Sequence, residues 1–395
     1  MDPKFSKNTE LLEKLKEKKS TNIEYSNDSD DGNIKKKKMI KNLFRLIVLA
    51  VIIALIFFIL SLFFMGKKSY NEVEILMKKA ASKYYSEHSK KLPKTTGGTV
   101  EISAKNLSNL GYMKDIGKYI KKGTCSGKVV VENNDDTFVY TPYLDCGESY
   151  KTMELFREIT KSAHLVTEGP GLYAQDNQYV FRGEVTTNYI SLNNRLYRIV
   201  KVDANNEIEL ISQEEKEQTS VSWDNRYNSD IKSSYGINDF NISRLKNSLD
   251  RIYEQDGKRA FFTDKEREYI VYHNYCIDKT GPKDPISSDC LQSSVKMKVG
   301  LLTASEYMNA SLDDECTYVT SRSCQNYNYL VKSNVDWWLI TASGLSSYEA
   351  FSVSGGTIGV SKCFMMKKLR PVIYLNSKTM YKSGTGTKDD PYLVK

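Results

Sequence analysis

The hydropathy pattern divides the chain into unequal parts. Residues 1–38 are polar and charged, and Ser26–Asn33 cannot contribute to a packed core, so this tail reads as disordered. Leu46–Met65 is then an unbroken apolar run of 20 residues with Ser61 as its one polar member. As a helix that length spans about 30 Å of hydrocarbon, and a core helix of that length would keep a polar face. The run is read as a transmembrane anchor within residues 39–66. It is too long for a cleaved signal peptide, and no small-x-small site follows at Phe63-Phe64-Met65-Gly66.

Past the anchor, apolar positions at three- and four-residue steps (Val73, Leu76, Met77, Ala80, Ala81, Tyr84) predict a stalk helix over Tyr70–Ser89. Val100–Ile102 is a short strand and Ala104–Leu110 a short helix closed by Gly111. Gly127–Glu132 and Thr137–Tyr143 flank the turn Asn133-Asn134-Asp135-Asp136 as a hairpin. These pieces make a small α+β module over residues 69–150. Residues 151–177 read as a linker, loosest at Gly169-Pro170-Gly171.

A larger domain follows over residues 178–378. Tyr189–Leu192 and Leu196–Val202 flank Asn193-Asn194 as a second hairpin, and Glu207–Ser212 continues the sheet. Asn241–Glu254 is helical, with Ile242, Leu245, Leu249 and Tyr253 on one face. Thr263–Tyr272 is a helix opened by a Thr cap with Glu266 at the capping-box position. Residues 276–298 read as loop, Val299–Thr303 as strand and Ala304–Ala310 as helix. Trp337–Thr341, Glu349–Val353, Thr357–Val360 and Leu369–Leu375 make the end β-rich, with Gly355-Gly356 as a hairpin turn. Residues 379–395 read as a closing Gly turn and short strand. The class is α+β.

Charge sharpens the topology. The net +8 splits into +4 for residues 1–45 and +4 for the rest, so the part beyond the anchor is nearly balanced and has no basic face for nucleic acid. Lys35, Lys36, Lys37, Lys38, Lys41 and Arg45 precede the apolar run, whereas Lys67 and Lys68 alone follow closely. By the positive-inside bias the N-terminus is cytoplasmic and everything after Met65 is extracytoplasmic.

All seven cysteines lie beyond the anchor. That placement suits disulfides in an oxidising compartment. Cys125 and Cys146 bracket the first hairpin. Cys276–Cys290 and Cys316–Cys324 close short loops, which leaves Cys363 unpaired. No Cys-x-x-Cys pair occurs, and His88, His164 and His273 have no ligand spacing, so neither metal nor cofactor is expected.

Ile190-Ser-Leu-Asn-Asn-Arg-Leu-Tyr-Arg-Ile-Val, Val299-Gly-Leu-Leu-Thr-Ala-Ser-Glu-Tyr, Asp336-Trp-Trp-Leu-Ile-Thr, the stretch from Ser354 to Thr357-Ile358-Gly359, and Leu369-Arg-Pro-Val-Ile-Tyr-Leu occur in that order. This block resembles a domain of unknown function of Gram-positive surface proteins that carries a Trp-Trp-Leu-Arg motif. That domain is similar to the C-type lectin-like fold shared with formylglycine-generating enzymes. Ile340 stands where the family usually has Arg. The Glu-Pro-Asn and Trp-Asn-Asp signatures of calcium-dependent sugar binding are absent, as is the catalytic cysteine context of the formylglycine enzymes. The resemblance therefore implies fold more than function.

No motif sequence supports an enzyme. Ser293-Ser-Val-Lys296 and Lys279-Thr-Gly281 stand in reversed order relative to penicillin-recognising enzymes, and Gly-x-Ser-x-Gly, His-Glu-x-x-His and P-loop patterns do not occur. The expected function is non-catalytic recognition of an envelope glycan or protein by a membrane-anchored cell-surface protein. The alternative is a structural part of an envelope, pilus-like or secretion assembly. Candidate ligand contacts are Trp223, Tyr227, Trp338 and Tyr348, which combine aromatics with small polar neighbours. For Trp223 and Trp338 a core role competes with a binding role. Arg370 is expected to hold the last strand through a buried ion pair.

Overall fold

The structure is a computed structural model that describes residues 31–64, 68–120, 124–135, 137–213, 220–257, 260–285, 290 and 293–395. Of the expected disordered tail over residues 1–38, residues 1–30 lie outside the described residues and residues 31–38 are helical. Contacts divide the chain into two units, one of residues 1–91 and 102–125, the other of residues 92–101 and 126–395.

In the first unit a single helix runs Asp31–Phe64. Its stretch Lys38–Ile56 is long and apolar enough to cross a membrane, and none of it is buried by other parts of the protein. Among the described residues these apolar side chains stay uncovered, which suits lipid as their solvent. A second helix, Tyr70–Glu87, begins at a capping box in which Ser69 and Glu72 satisfy each other's backbone N–H groups. It buries Val73, Met77, Ala80, Ala81 and Tyr84, the face predicted by their spacing. Tyr84 stacks on His88 at 4.5 Å and meets Tyr112 edge-on at 5.4 Å.

The second unit is α+β. Its largest sheet runs, in spatial order, Val372–Leu375, Ile208–Ser212, Arg195–Val202, Tyr189–Leu192, Tyr392–Val394 and Tyr381–Ser383, with the hairpin Gly171–Gln175/Gln178–Arg182 joined through Arg195–Val202. Tyr392–Val394 lies parallel to Tyr189–Leu192; the other pairings are antiparallel. A second sheet orders Lys279–Thr280, Trp337–Ser343, Glu349–Ser354 and Thr357–Lys362. Its Trp337–Ser343 strand is buried at every position, so both faces are covered. Asn193 and Asn194 take φ of 48° and 69°, and Gly355 and Gly356 take 56° and 91°, the left-handed pairs that two-residue hairpin turns require.

Several boundaries differ from expectation. The hairpin Ser126–Asn134/Thr137–Asp145 groups with the larger unit rather than with the stalk helix, and Lys378 Nζ to Glu132 Oε1 at 2.5 Å ties it there. Residues 151–177 are structured: Leu155 and Ile159 on the helix Leu155–Ile159 are fully buried, and Gly171–Gln175 is a sheet strand. The C-terminal strand is inserted into the main sheet, so residues 379–395 belong to the domain. The helix after Thr263 stops at Arg267, because Val271 N–H turns to donate to Tyr374 O. In the helix Arg244–Glu254 the buried face is Leu245, Leu249 and Ile252, with Ile242 outside it and half exposed. Strands His273–Cys276 and Ser294–Met297 pair where a loop was expected. Val299–Thr303 contributes a single bridge, Gly300 to Val372.

Cys276–Cys290 and Cys316–Cys324 are disulfides, Cys125 and Cys146 are also disulfide-bonded, and Cys363 is a buried free thiol.

Candidate functional site: a charged cleft with an aromatic rim

The larger unit contains a cleft of about 450 Å³. Strand His273–Cys276 forms one wall, pinned by the Cys276–Cys290 disulfide, and Thr303–Asn309 forms another. Its base includes Tyr275 and Tyr374, both buried. Tyr275 lies against the backbone of Gly300; a Cβ there would stand 2.3 Å from the ring, so only glycine fits.

At the base Lys201 Nζ donates to Glu306 Oε1 at 2.6 Å and pairs with Glu209 Oε2 at 3.4 Å. Glu306 also caps its own helix, its Oε2 accepting Thr303 N–H at 2.8 Å and Thr303 Oγ1–H at 2.9 Å. Two carboxylates thus share one ammonium. Burial opposes ionisation of Glu209, and the charge of Glu306 adds to it, pushing the Glu209 carboxyl up to about 8. Burial acts on Glu306 in the same sense, but Lys201 and the Thr303 donors outweigh it and hold Glu306 below the usual range. On Lys201 burial opposes the charge, and the two glutamates overcome it, raising its pKa. Glu306 therefore carries the charge that pairs with Lys201, and Glu209 holds its proton more tightly.

The cleft continues into a loop rim. Lys279 Nζ donates to Asn238 Oδ1 at 2.9 Å, and the Asn238 side-chain amide donates to the carbonyls of Ser343, Ser346 and Glu349. Gly344 N–H donates to Thr280 O at 2.8 Å. Asn238 is buried, so it fixes the loop Ser343–Tyr348 against the cleft edge. Beyond that loop Tyr235 stacks on Phe364 at 5.2 Å, Tyr348 approaches Tyr235 at 5.9 Å, and Lys362 Nζ sits 4.2 Å over the Tyr235 ring. Tyr235 and Phe364 are exposed, and Leu345 more so at 77%. Buried Asp224 holds the chain on both sides of Tyr235, accepting the N–H groups of Arg226 and Ile237 and pairing with the Arg226 guanidinium at 2.7 Å.

Of the candidate contacts, Tyr348 lies in this rim and Tyr227 is exposed at 60% on the neighbouring segment. Trp223 and Trp338, expected as candidate contacts, are core residues instead. Both are fully buried, with Trp223 Nε1–H donating to Leu339 O at 3.3 Å and Trp338 Nε1–H to Val221 O at 2.9 Å. Their rings have no face for a ligand. Arg370 is buried too, its guanidinium 4.7 Å over the Trp337 ring and its Nη1 donating to Leu330 O. Tyr235 and Phe364 were missed: they lie about 130 residues apart in sequence, in segments without strand or helix period. Lys201, Glu209 and Glu306 were missed because each reads alone as a solvated charge.

Comparison with family models, with curated proteins and with solved structures finds no match to this chain.

Proposed function

We propose that this chain is a membrane-anchored, extracytoplasmic binding protein of a Gram-positive or wall-less bacterium, and that its larger unit, a C-type lectin-like domain, recognises an envelope glycan. The observation that supports this best is the joining of a hydroxyl-, amide- and charge-lined cleft to an exposed aromatic rim through Asn238. A sugar offers hydroxyls for the first and apolar ring faces for the second. The cytoplasmic N-terminus follows from the lysines before the apolar run, and the disulfides fit an oxidising exterior.

The test is co-sedimentation of the detergent-solubilised full chain with purified envelope polysaccharide. The reading expects saturable retention that Lys279→Ala and Tyr348→Ala weaken, with the melting of Tyr348→Ala unchanged. No retention by wild type, together with cross-linking into higher oligomers without glycan, would instead favour a structural part in an envelope assembly.

A further inference from the structure

We propose that Asp203, Glu207 and His273 bind a first-row divalent transition-metal ion of the Zn²⁺ type at the wall of the cleft. Asp203 and Glu207 lie in the turn between strands Arg195–Val202 and Ile208–Ser212, and His273 opens strand His273–Cys276. One donor atom from each residue lies within 4.8 Å of the other two. His273 Nδ1 is 2.8 Å from Glu207 Oε2 and 3.9 Å from Asp203 Oδ2. Donors held about 2.1 Å from one ion stand roughly 3–3.5 Å apart at tetrahedral angles, so the observed spacing is close to a ligand set.

The three side chains are only 12–22% exposed, and Asp203 and His273 are oriented from behind. Asp203 Oδ1 accepts the N–H groups of Asn205 at 2.9 Å and Glu207 at 2.8 Å, which turns Oδ2 toward the imidazole. The His273 ring lies 3.5 Å from the Tyr374 ring, 6° from parallel. Such outer support is what fixes a metal-binding imidazole or carboxylate. The turn hydrogen bonds engage Oδ1 of Asp203 and leave its Oδ2 facing the imidazole. A dication would take up both carboxylates and the ring nitrogen together. One imidazole with two carboxylates is a borderline donor set, suited to Zn²⁺ or Mn²⁺ more than to a soft ion that takes thiolates. His273 also lines the cleft, so the ion would sit at its wall with coordination positions left open.

The test uses the chelator-stripped full chain in detergent, with Zn²⁺ alone and then Co²⁺ as a spectroscopic reporter. Wild type should bind Zn²⁺ with a raised Tm and give visible Co²⁺ ligand-field absorption. His273→Ala and Asp203→Asn should each weaken Zn²⁺ binding about tenfold or more and remove the absorption. Asn at 203 keeps the acceptor of the turn, so this variant decides if His273→Ala does not fold. No saturable Zn²⁺ binding by wild type, or unchanged affinity in folded Asp203→Asn, overturns the proposal. Because the readout is the metal alone, failure here leaves the glycan reading standing.

Discussion

Trp223, Trp337 and Trp338 share a domain with Tyr235, Tyr348 and Phe364, yet the first set is sealed and the second meets water. Backbone context makes the difference. Trp337 and Trp338 lie on a strand covered on both faces, so alternation sends the two rings to opposite sides and both sides are core. Tyr235, Tyr348 and Phe364 sit on irregular segments whose backbone is held by buried Asp224 and Asn238 rather than by ring packing. Rings that pack stabilise the fold; rings posed by a polar scaffold are free to meet a partner.

That contrast is broken most severely from the core side. Trp338→Ala should destabilise the domain by about 3–5 kcal/mol, since it removes a buried indole and orphans the Val221 carbonyl. Thermal or denaturant unfolding would measure it, and a loss below about 1 kcal/mol would put Trp338 outside the core.

Lys201→Met should cost about 3 kcal/mol or more, because ionised Glu306 would lose its counter-ion and Glu209 its partner at the base of the cleft. Denaturant titration at neutral pH checks this, and near-neutral behaviour would mean that the glutamates find water.

Glu209→Gln sharpens the electrostatic side. The folded Glu209 carboxyl, pushed up to about 8, holds its proton more tightly than in the unfolded chain. Its stabilising effect is complete below the ordinary glutamate range and is lost as pH rises through that range to about 8. Within that window wild type should lose up to about 1.4 kcal/mol per pH unit relative to Glu209→Gln, whose amide stays neutral. Parallel pH profiles for the two proteins would contradict a protonated Glu209.

The smallest effect on stability belongs to the rim. Tyr235→Ala and Tyr348→Ala should each change stability by no more than about 0.5 kcal/mol, read as an unshifted melting curve, while weakening glycan binding. Destabilisation comparable to Trp338→Ala would make the rim part of the core.

Short-range chemistry made much of this fold legible. The Asn193-Asn194 and Gly355-Gly356 turns, the helix after Ser69 and the two local disulfides each depend on residues within a few positions or one short loop. The cleft depends on distant ones: Lys201 meets Glu306 across 105 residues and His273 meets Glu207 across 66. In sequence nothing pairs Lys201 with a carboxylate about a hundred residues away, and its burial is decided by what packs over it. Strands His273–Cys276 and Ser294–Met297 escaped notice because they are short and polar, and only their mutual pairing makes them strands. The paired tryptophans left their direction open, since adjacency fixes opposite faces but not whether both are covered.

On the proposed function, the polar cleft and the aromatic rim act as one glycan-binding face. Hydrogen–deuterium exchange on the detergent-solubilised full chain, with and without envelope glycan fragments, tests it most directly. The account predicts added protection in two separate peptides, His273–Thr280 and Ser343–Tyr348, with the core strand around Trp338 unchanged. Protection confined to other segments, or none at saturating glycan, would contradict it.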